Sequence, residues 1–384
     1  MNNFEFYNPV KIEFGKGMVA KLPSLIPAGS KVMITYGGGS IKSNGVYDQV
    51  IDALKGYSVI EFGGIEPNPT YETLMKAVTL ARAEQVTYLL AVGGGSVLDG
   101  TKFIAAAIPF AGEPWDILAK GAKVLSAIPM GTVLTLPATG SEMNNGAVIS
   151  KKATKEKLAF HSAYTYPVFS ILDPEFTYSL PKNQIANGTV DAFIHIMEQY
   201  MTYPNAGMVQ DCWSEGLLKV LIEVGPQALA TPTDYDTRAN LMWAATMALN
   251  GIIVVGMPSD WATHMIGHEL TALHGLAHGE TLAIVYPAML DVLFEFKKDK
   301  LVQYAERVRG INQGTPDERA RLAIRKTEEF FNRMGIKTHL KDYGIGNESF
   351  QTIRNRFEER GWVKMGEKQA LTPDLVVDVL NKSL

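Results

Sequence analysis

The chain has 384 residues, of which 46% are hydrophobic and 20% charged, a balance that supports two folded cores and argues against disorder. Its net charge of -4 offers no basic surface for nucleic acid or an anionic membrane, so neither is expected as a partner. The single cysteine, Cys212, excludes an intramolecular disulfide and a thiolate metal site, and fits a reducing cytoplasm.

In chain order, residues 1–6 lack the basic and apolar stretches of a signal peptide. Residues 31–36 form a β-rich run ending in Gly37-Gly38-Gly39-Ser40, and a helical run follows through Val50 and Leu54. The next strand, 57–62, ends in Gly63-Gly64 and precedes a helix over 71–84; a third, 86–92, ends in Gly93-Gly94-Gly95-Ser96 and leads into another helix. Segments 127–136 and 168–172 read as further strands. Strands alternating with helices at this spacing predict βαβ units and a mostly parallel sheet.

Beyond Leu180-Pro181 the texture becomes helical, over 181–200, 208–221, 237–249, 260–270 and 317–334. Cys212 falls inside one of these runs and reads as a small half-buried residue. Residues 282–294, interrupted by Pro287 and Asp291, read as a buried core helix too short to span a bilayer. The expected organisation is an α/β nucleotide-binding domain over 1–180 and an all-helical metal-binding domain over 181–384.

Three glycine clusters at strand ends are where an open α/β sheet binds ligands, since glycine lets backbone approach a phosphate and a helix N-terminus offers N–H groups. Gly94-Gly95-Ser96 is the best pyrophosphate seat. Neither G-x-G-x-x-G nor the P-loop pattern is present, so tight turns alone are the competing reading. The polar loop from Thr135 through Thr139-Gly140-Ser141-Glu142 to Asn144 suits hydrogen bonding to a cofactor.

Asp191 and His195, four apart, share a helix face. Of seven histidines, four (His264, His268, His274 and His278) crowd between positions 264 and 278, with 273–279 read as a glycine-hinged loop. Asp with several His and no Cys is a ligand set for Zn²⁺ or Fe²⁺ rather than Ca²⁺ or Mg²⁺. Spacing alone leaves open which two of the four ligate. His161 and His339 are isolated; His339 reads as an ordinary core or surface histidine, and the role of His161 is left open.

These features resemble the iron-containing (group III) alcohol dehydrogenase family over essentially the whole chain: Glu13-Phe14-Gly15-Lys16-Gly17, Gly93 through Asp99, Thr139 through Glu142, Asp191 through His195, and His264 through His278. Tyr36 through Ser40 and Asp260 through His264 are similar to the branch of NADPH-dependent butanol dehydrogenases and broad-range aldehyde reductases. The resemblance implies metal ligands Asp191, His195, His264 and His278, with His268 and His274 lining the site as candidates for proton transfer. It implies cofactor contacts from Gly38, Ser40, Asn68, Gly94, Gly95, Ser96, Asp99, Thr135, Thr139, Asn144 and Lys157.

NAD-preferring relatives carry an Asp where this chain has Gly39; without that carboxylate a 2′-phosphate is tolerated and Lys42 adds charge, which implies NADP. Glu61, near the usual position of a ribose-binding acid, is a small counterweight. The implied activity is reversible hydride transfer between NADP(H) and short-chain aldehydes or primary alcohols by a cytoplasmic homodimer holding one divalent ion. The alternatives are a glycerol dehydrogenase-like or dehydroquinate synthase-like enzyme on the same fold, a metal-dependent hydrolase, and a non-catalytic nucleotide-binding module.

Overall fold

The computed structural model describes residues 1–204 and 206–384. Its strands are β1 (Lys11–Phe14), β2 (Lys31–Tyr36), β3 (Ser58–Phe62), β4 (Tyr88–Gly94), β5 (Met130–Leu136), β6 (Gly146–Lys151), β7 (Glu156–His161) and β8 (Phe169–Leu172). Six of them form one sheet in the order β1-β8-β5-β4-β2-β3, every pairing parallel, while β6 and β7 make a separate antiparallel hairpin. β1 and the hairpin are additions to the sequence expectation. β1 is four residues long with both ends exposed, β6 has only the three-residue apolar stretch Ala147-Val148-Ile149, and β7 opens on Glu156-Lys157, so none of the three carries a long apolar run.

Helices α1 (Val46–Ala53), α2 (Tyr71–Ala83) and α3 (Gly95–Ala107) follow β2, β3 and β4. Alternate residues of β4 point to opposite faces. Leu89 and Ala91 join Leu74, Val78, Phe103 and Ile104 in one core, while Leu90 and Val92 join Val32, Ile34, Val46 and Val50 in another. Burial on both faces explains why β4 reads as a continuous apolar run rather than an alternating one. From β2 the chain moves outward to β3, then returns to place β4 on β2's other side. The carboxyl ends of β2 and β4 therefore flank a topological switch point, the usual ligand crevice of such a sheet.

The remaining long helices are α4 (Lys182–Tyr200), α5 (Met208–Ala230), α6 (Tyr235–Ala248), α7 (Ala262–His274), α8 (His278–Val292), α9 (Phe294–Arg307), α10 (Pro316–Arg333), α11 (Phe350–Glu359) and α12 (Pro373–Lys382). The chain forms two compact units: Tyr7–Leu180 with Pro232–Thr246, and Pro181–Thr231 with Met247–Leu384 and Met1–Phe6. Most of α6 thus groups with the sheet. Met242 enters the sheet's core, Trp243 meets Phe14 edge-on at 5.9 Å, and Thr246 donates to the buried Glu142 carboxylate.

In the helical unit every residue of α4 from Gly188 to Tyr200 is buried, so α4 is a core helix surrounded on all sides. Helix α7 continues to His274, leaving only residues 275–277 as the connection to α8, shorter than the 273–279 loop expected from sequence. Gly275 at φ +74° ends the helix in the left-handed conformation that glycine adopts without strain. Cys212 is exposed on α5, a correction to its expected half-burial. No helix among the described residues is long and apolar enough to cross a membrane.

Candidate metal centre and cofactor-binding loops

Burying polar groups along α4 is costly unless they find partners, and Asp191, His195 and Glu198 lie on one stripe of that helix. Oδ1 of Asp191 is the point of convergence. Nε2 of His195 lies 3.5 Å from it, Nε2 of His264 on α7 3.8 Å, and Nε2 of His278 at the start of α8 3.7 Å. The His195 and His264 rings stack at 4.7 Å between centroids, and the His264 and His278 rings lie 5.2 Å apart. Three of these residues are buried; His278 keeps 21% of its side chain exposed, which leaves the site open on that side.

Local backbone features bring the three helices together. A Cβ on Gly279 would stand 2.6 Å from the carbonyl oxygen of Asn187, so only glycine lets the first turn of α8 rest against α4. At Gly267 a Cβ would stand 2.9 Å from Oγ1 of Thr281, the same close approach between α7 and α8. The N-terminus of α7 is held by Asp260, whose Oδ1 accepts the N–H groups of Trp261 and Ala262 at 2.7 and 2.9 Å.

Glu198 completes the arrangement. Its carboxylate hydrogen-bonds Nδ1 of His264 and accepts the N–H of Thr263 at 2.7 Å. This orients His264 with Nε2 towards Asp191, as carboxylate partners orient metal-binding imidazoles. Sequence reasoning missed Glu198. The available signal was its place seven residues after Asp191 and three after His195, on the same helix face.

The arrangement fits a divalent ion. Ligand atoms bound tetrahedrally at about 2.0–2.2 Å stand roughly 3.3–3.6 Å apart, close to the separations here. One atom from each of Asp191, His195 and His264 falls within 4.8 Å of the others. Nε2 of His264 is buried and makes no hydrogen bond among the described residues. Burial disfavours a charged His264 ring, but the Glu198 and Asp191 carboxylates outweigh it and push its pKa up to about 9. An environment that favours a proton on this ring favours a cation in its place.

His268 stays beside the cluster, its ring 5.2 Å from His278 and 6.3 Å from His264. His274, on the last turn of α7, hydrogen-bonds Oγ of Ser349 through Nε2 at 2.8 Å. His161 sits on β7 opposite Gly146, and His339 lies beside Thr338 and Glu328.

In the sheet unit, the expected cofactor residues gather at the carboxyl strand ends. Helix α3 begins after Gly94 with no side chain capping it, which leaves its first N–H groups available to an anion. Asn68, at φ +56°, donates its N–H to Oγ of Ser96 at 3.2 Å, and Nζ of Lys157 donates to Oδ1 of Asn68 at 2.8 Å. These three residues from separate elements therefore meet beside the helix N-terminus. A Cβ on Gly95 would stand 2.5 Å from the Thr139 side chain, so the polar loop closes on the same turn. Thr135 lies on β5, beside β4.

Asp99 accepts Oγ of Ser141 at 2.6 Å and N–H of Val148 at 2.9 Å, holding the loop and hairpin. Asn144 accepts from Nζ of Lys102 at 2.9 Å. Lys102, to which sequence reasoning assigns no role, is fully buried, and burial pushes its pKa down to about 8. On the turn after β2, open space surrounds the Cβ positions of Gly38 and Gly39, with Gly39 at φ +96° and Ser40 opening a short helix. Glu61 is occupied by Lys42 at 2.8 Å and by the Tyr36 and Tyr47 hydroxyls.

The chain is similar to known proteins along its length. Residues 9–174 match the family model for iron-containing alcohol dehydrogenase, and residues 185–384 match the model for its C-terminal region. The chain is 58% identical over 378 residues to the NADPH-dependent aldehyde reductase YqhD of Escherichia coli, covering 98% of each chain. It is 44% identical to the NADP-dependent alcohol dehydrogenase 3 of Entamoeba histolytica, covering 93% of this chain and 94% of that one. The crystal structure of E. coli YqhD superposes with a TM-score of 0.99 at 56% identity, covering 100% of this chain and 99% of that one. A buried Asp/His cluster in a helical unit, joined in one chain to a glycine-ended parallel sheet, thus comes with matching family models along nearly its whole length, and the chain belongs to the iron-containing alcohol dehydrogenase family.

Proposed function

We propose that this protein is an NADP-dependent alcohol dehydrogenase and aldehyde reductase, with residues 1–180 binding the cofactor and 181–384 forming the metal-binding catalytic domain. Asp191, His195, His264 and His278 hold one divalent ion, Fe²⁺ or Zn²⁺. The observation that carries the reading is the convergence of three imidazole Nε2 atoms on one buried carboxylate oxygen. Bound there, the ion would supply Lewis-acid polarisation of a substrate oxygen, and a bound nicotinamide would supply or accept the hydride.

The chain's own residues do the rest. Asp191 offsets positive charge, Glu198 orients His264, and the α3 N-terminus with Gly94, Gly95, Ser96, Asn68 and Lys157 binds the pyrophosphate-bearing half of the cofactor. Asp99, Thr135, Thr139 and Asn144 shape the loop against it. Gly38, Gly39 and Ser40 leave room for a 2′-phosphate, and the 58% identity to an NADPH-dependent enzyme supports that choice.

Of the chain's own residues, His268 and His274 are the candidates to pass a proton to the product oxygen. Geometry favours His268 of the two histidines: it lies against His278, whereas His274 is committed to Ser349 and burial holds its pKa below the ordinary value. Short-chain aldehydes and primary alcohols are the proposed substrates. A homodimer rests on the resemblance alone, and a cytoplasmic location is supported by the unpaired Cys212.

The direct test follows NADPH oxidation with butanal before and after chelation. Activity is expected to fall with metal content and to return on adding Fe²⁺ or Zn²⁺. Full activity in a verified metal-free protein would overturn the reading.

A further inference from the structure

Lys297 on α9 has no part in the chemistry above, yet its side chain is only 3% exposed and its ammonium is fully committed. Nζ donates to the carbonyl of Met201 at 2.8 Å, to Oδ2 of Asp260 at 2.9 Å and to Oε2 of Glu367 at 2.7 Å. Three donors meet three acceptors, the full capacity of an ammonium group. Met201 caps the carboxyl end of α4, the helix that carries Asp191 and His195. Asp260 caps the amino end of α7, the helix that carries His264, through its other carboxylate oxygen. The backbone N–H of Asp260 also donates to the carbonyl of Glu198 at 2.9 Å. One buried charge thus ties the end of one ligand-bearing helix to the start of the other.

We propose that Lys297 is a positioning residue that sets the spacing of α4 and α7, and through it the affinity for the metal ion. This rests on the reading that Asp191, His195 and His264 bind that ion. The physical case is that a buried ion group is a poor source of net stability compared with apolar side chains of similar volume, whereas its geometry is specific. Ligand sets lose affinity when displaced by about half an ångström. An apolar side chain at position 297 would fill the volume but remove the charged link, leaving only the bonds of Glu198 to Asp260, Thr263 and His264 to hold the two helix ends.

The same unit supplies a comparator. Lys300, also on α9 and buried, pairs with Asp211 on α5, with Nζ 2.6 Å from each carboxylate oxygen, and makes no bond to Asp260 or Met201. Breaking that pair removes a buried ion pair and the cation–π contact of Lys300 with Tyr200 at the end of α4, 4.5 Å from ammonium to ring, but leaves the bonds of Lys297 to Met201 and Asp260 in place.

The test measures Zn²⁺ affinity of the chelator-stripped full chain by competition with a chromophoric chelator. His264→Ala is the control for the site, Lys300→Met the control for general destabilisation, and circular dichroism the check on folding. Wild type is expected to bind one Zn²⁺ that His264→Ala loses. Lys297→Met should bind about tenfold or more weakly, in the range of substitutions behind metal ligands, while Lys300→Met binds as wild type does. Should Lys297→Met fail to fold, Asp260→Asn breaks the same link while keeping an oxygen for the α7 N-terminus, and the same weakening is expected. Wild-type affinity in Lys297→Met or Asp260→Asn, or equal weakening in Lys300→Met, overturns the positioning role. Wild type without a Zn²⁺ site lost in His264→Ala overturns instead the ligand reading beneath it.

Discussion

Nδ1 of His264 is hydrogen-bonded to the buried carboxylate of Glu198, while Nε2 of the same ring lies 3.8 Å from Oδ1 of Asp191. The ring therefore stands between two carboxylates, one fixing its orientation and the other sharing its target. Glu198→Gln keeps the size of the side chain and an acceptor for Thr263 but removes the charge. Metal affinity is expected to fall about 10–100-fold with the fold intact, read by Zn²⁺ competition and circular dichroism. Unchanged affinity would mean that Glu198 serves only to satisfy the start of α7.

Gly279 permits the contact that delivers His278. In Gly279→Ala the new Cβ meets the Asn187 carbonyl at 2.6 Å, a backbone group on a core helix that yields little. The expected result is a stability loss of about 1–3 kcal/mol in the metal-free protein, typical of overpacking, with weakened Zn²⁺ binding as α8 is displaced. Thermal unfolding with and without Zn²⁺ separates the two effects. Gly38→Ala, where open space surrounds the Cβ, provides the comparison and should leave Zn²⁺ affinity unchanged.

Gly39→Asp places a carboxylate where a 2′-phosphate is proposed to bind. NADPH preference over NADH is expected to fall about tenfold or more, as two like charges are brought close. Because Gly39 sits at φ +96°, any side chain there is strained. Gly39→Asn carries the same strain without the charge. The effect on the NADPH-to-NADH ratio of kcat/KM should therefore be confined to the Asp variant, and an equal change in both would assign it to backbone strain.

Burial holds the His274 imidazole below its ordinary pKa of 6.5, so near that pH the unfolded chain binds more protons than the folded one. Linkage then makes the His274 contribution to stability fully present above 6.5 and progressively lost as pH falls below it. His274→Gln keeps a hydrogen-bonding partner for Ser349 and does not titrate. Urea midpoints from about pH 7 to about pH 5 should fall less steeply in the variant than in wild type. Parallel slopes would remove His274 from the pH response.

Much of the sheet was legible because its strands are short apolar runs punctuated by glycine, and a period of that kind survives in one dimension. β1 and the β6–β7 hairpin were not, since four residues with exposed ends, a three-residue apolar stretch in β6 and a strand opening on Glu156-Lys157 in β7 give too short a pattern. Most of α6 was expected with the helical half, because helical periodicity does not say which core a helix faces. Met242, Trp243 and Thr246 answer that by packing on the sheet unit.

The metal centre divides in the same way. The sequence by itself determined the chemistry: Asp191 and His195 at one helical turn, a crowd of histidines from His264 to His278, and no second cysteine to offer an alternative ligand set. Those facts follow from residue identity and local spacing alone. Tertiary structure decided which nitrogens meet, because α4, α7 and α8 converge only where Gly267 and Gly279 allow close approach. It also decided that Glu198 stands behind His264 and that Lys297, distant in sequence from every proposed ligand, holds two of those helices by their ends. Such partners are set by distances between helices, a quantity that sequence spacing within any one helix does not contain.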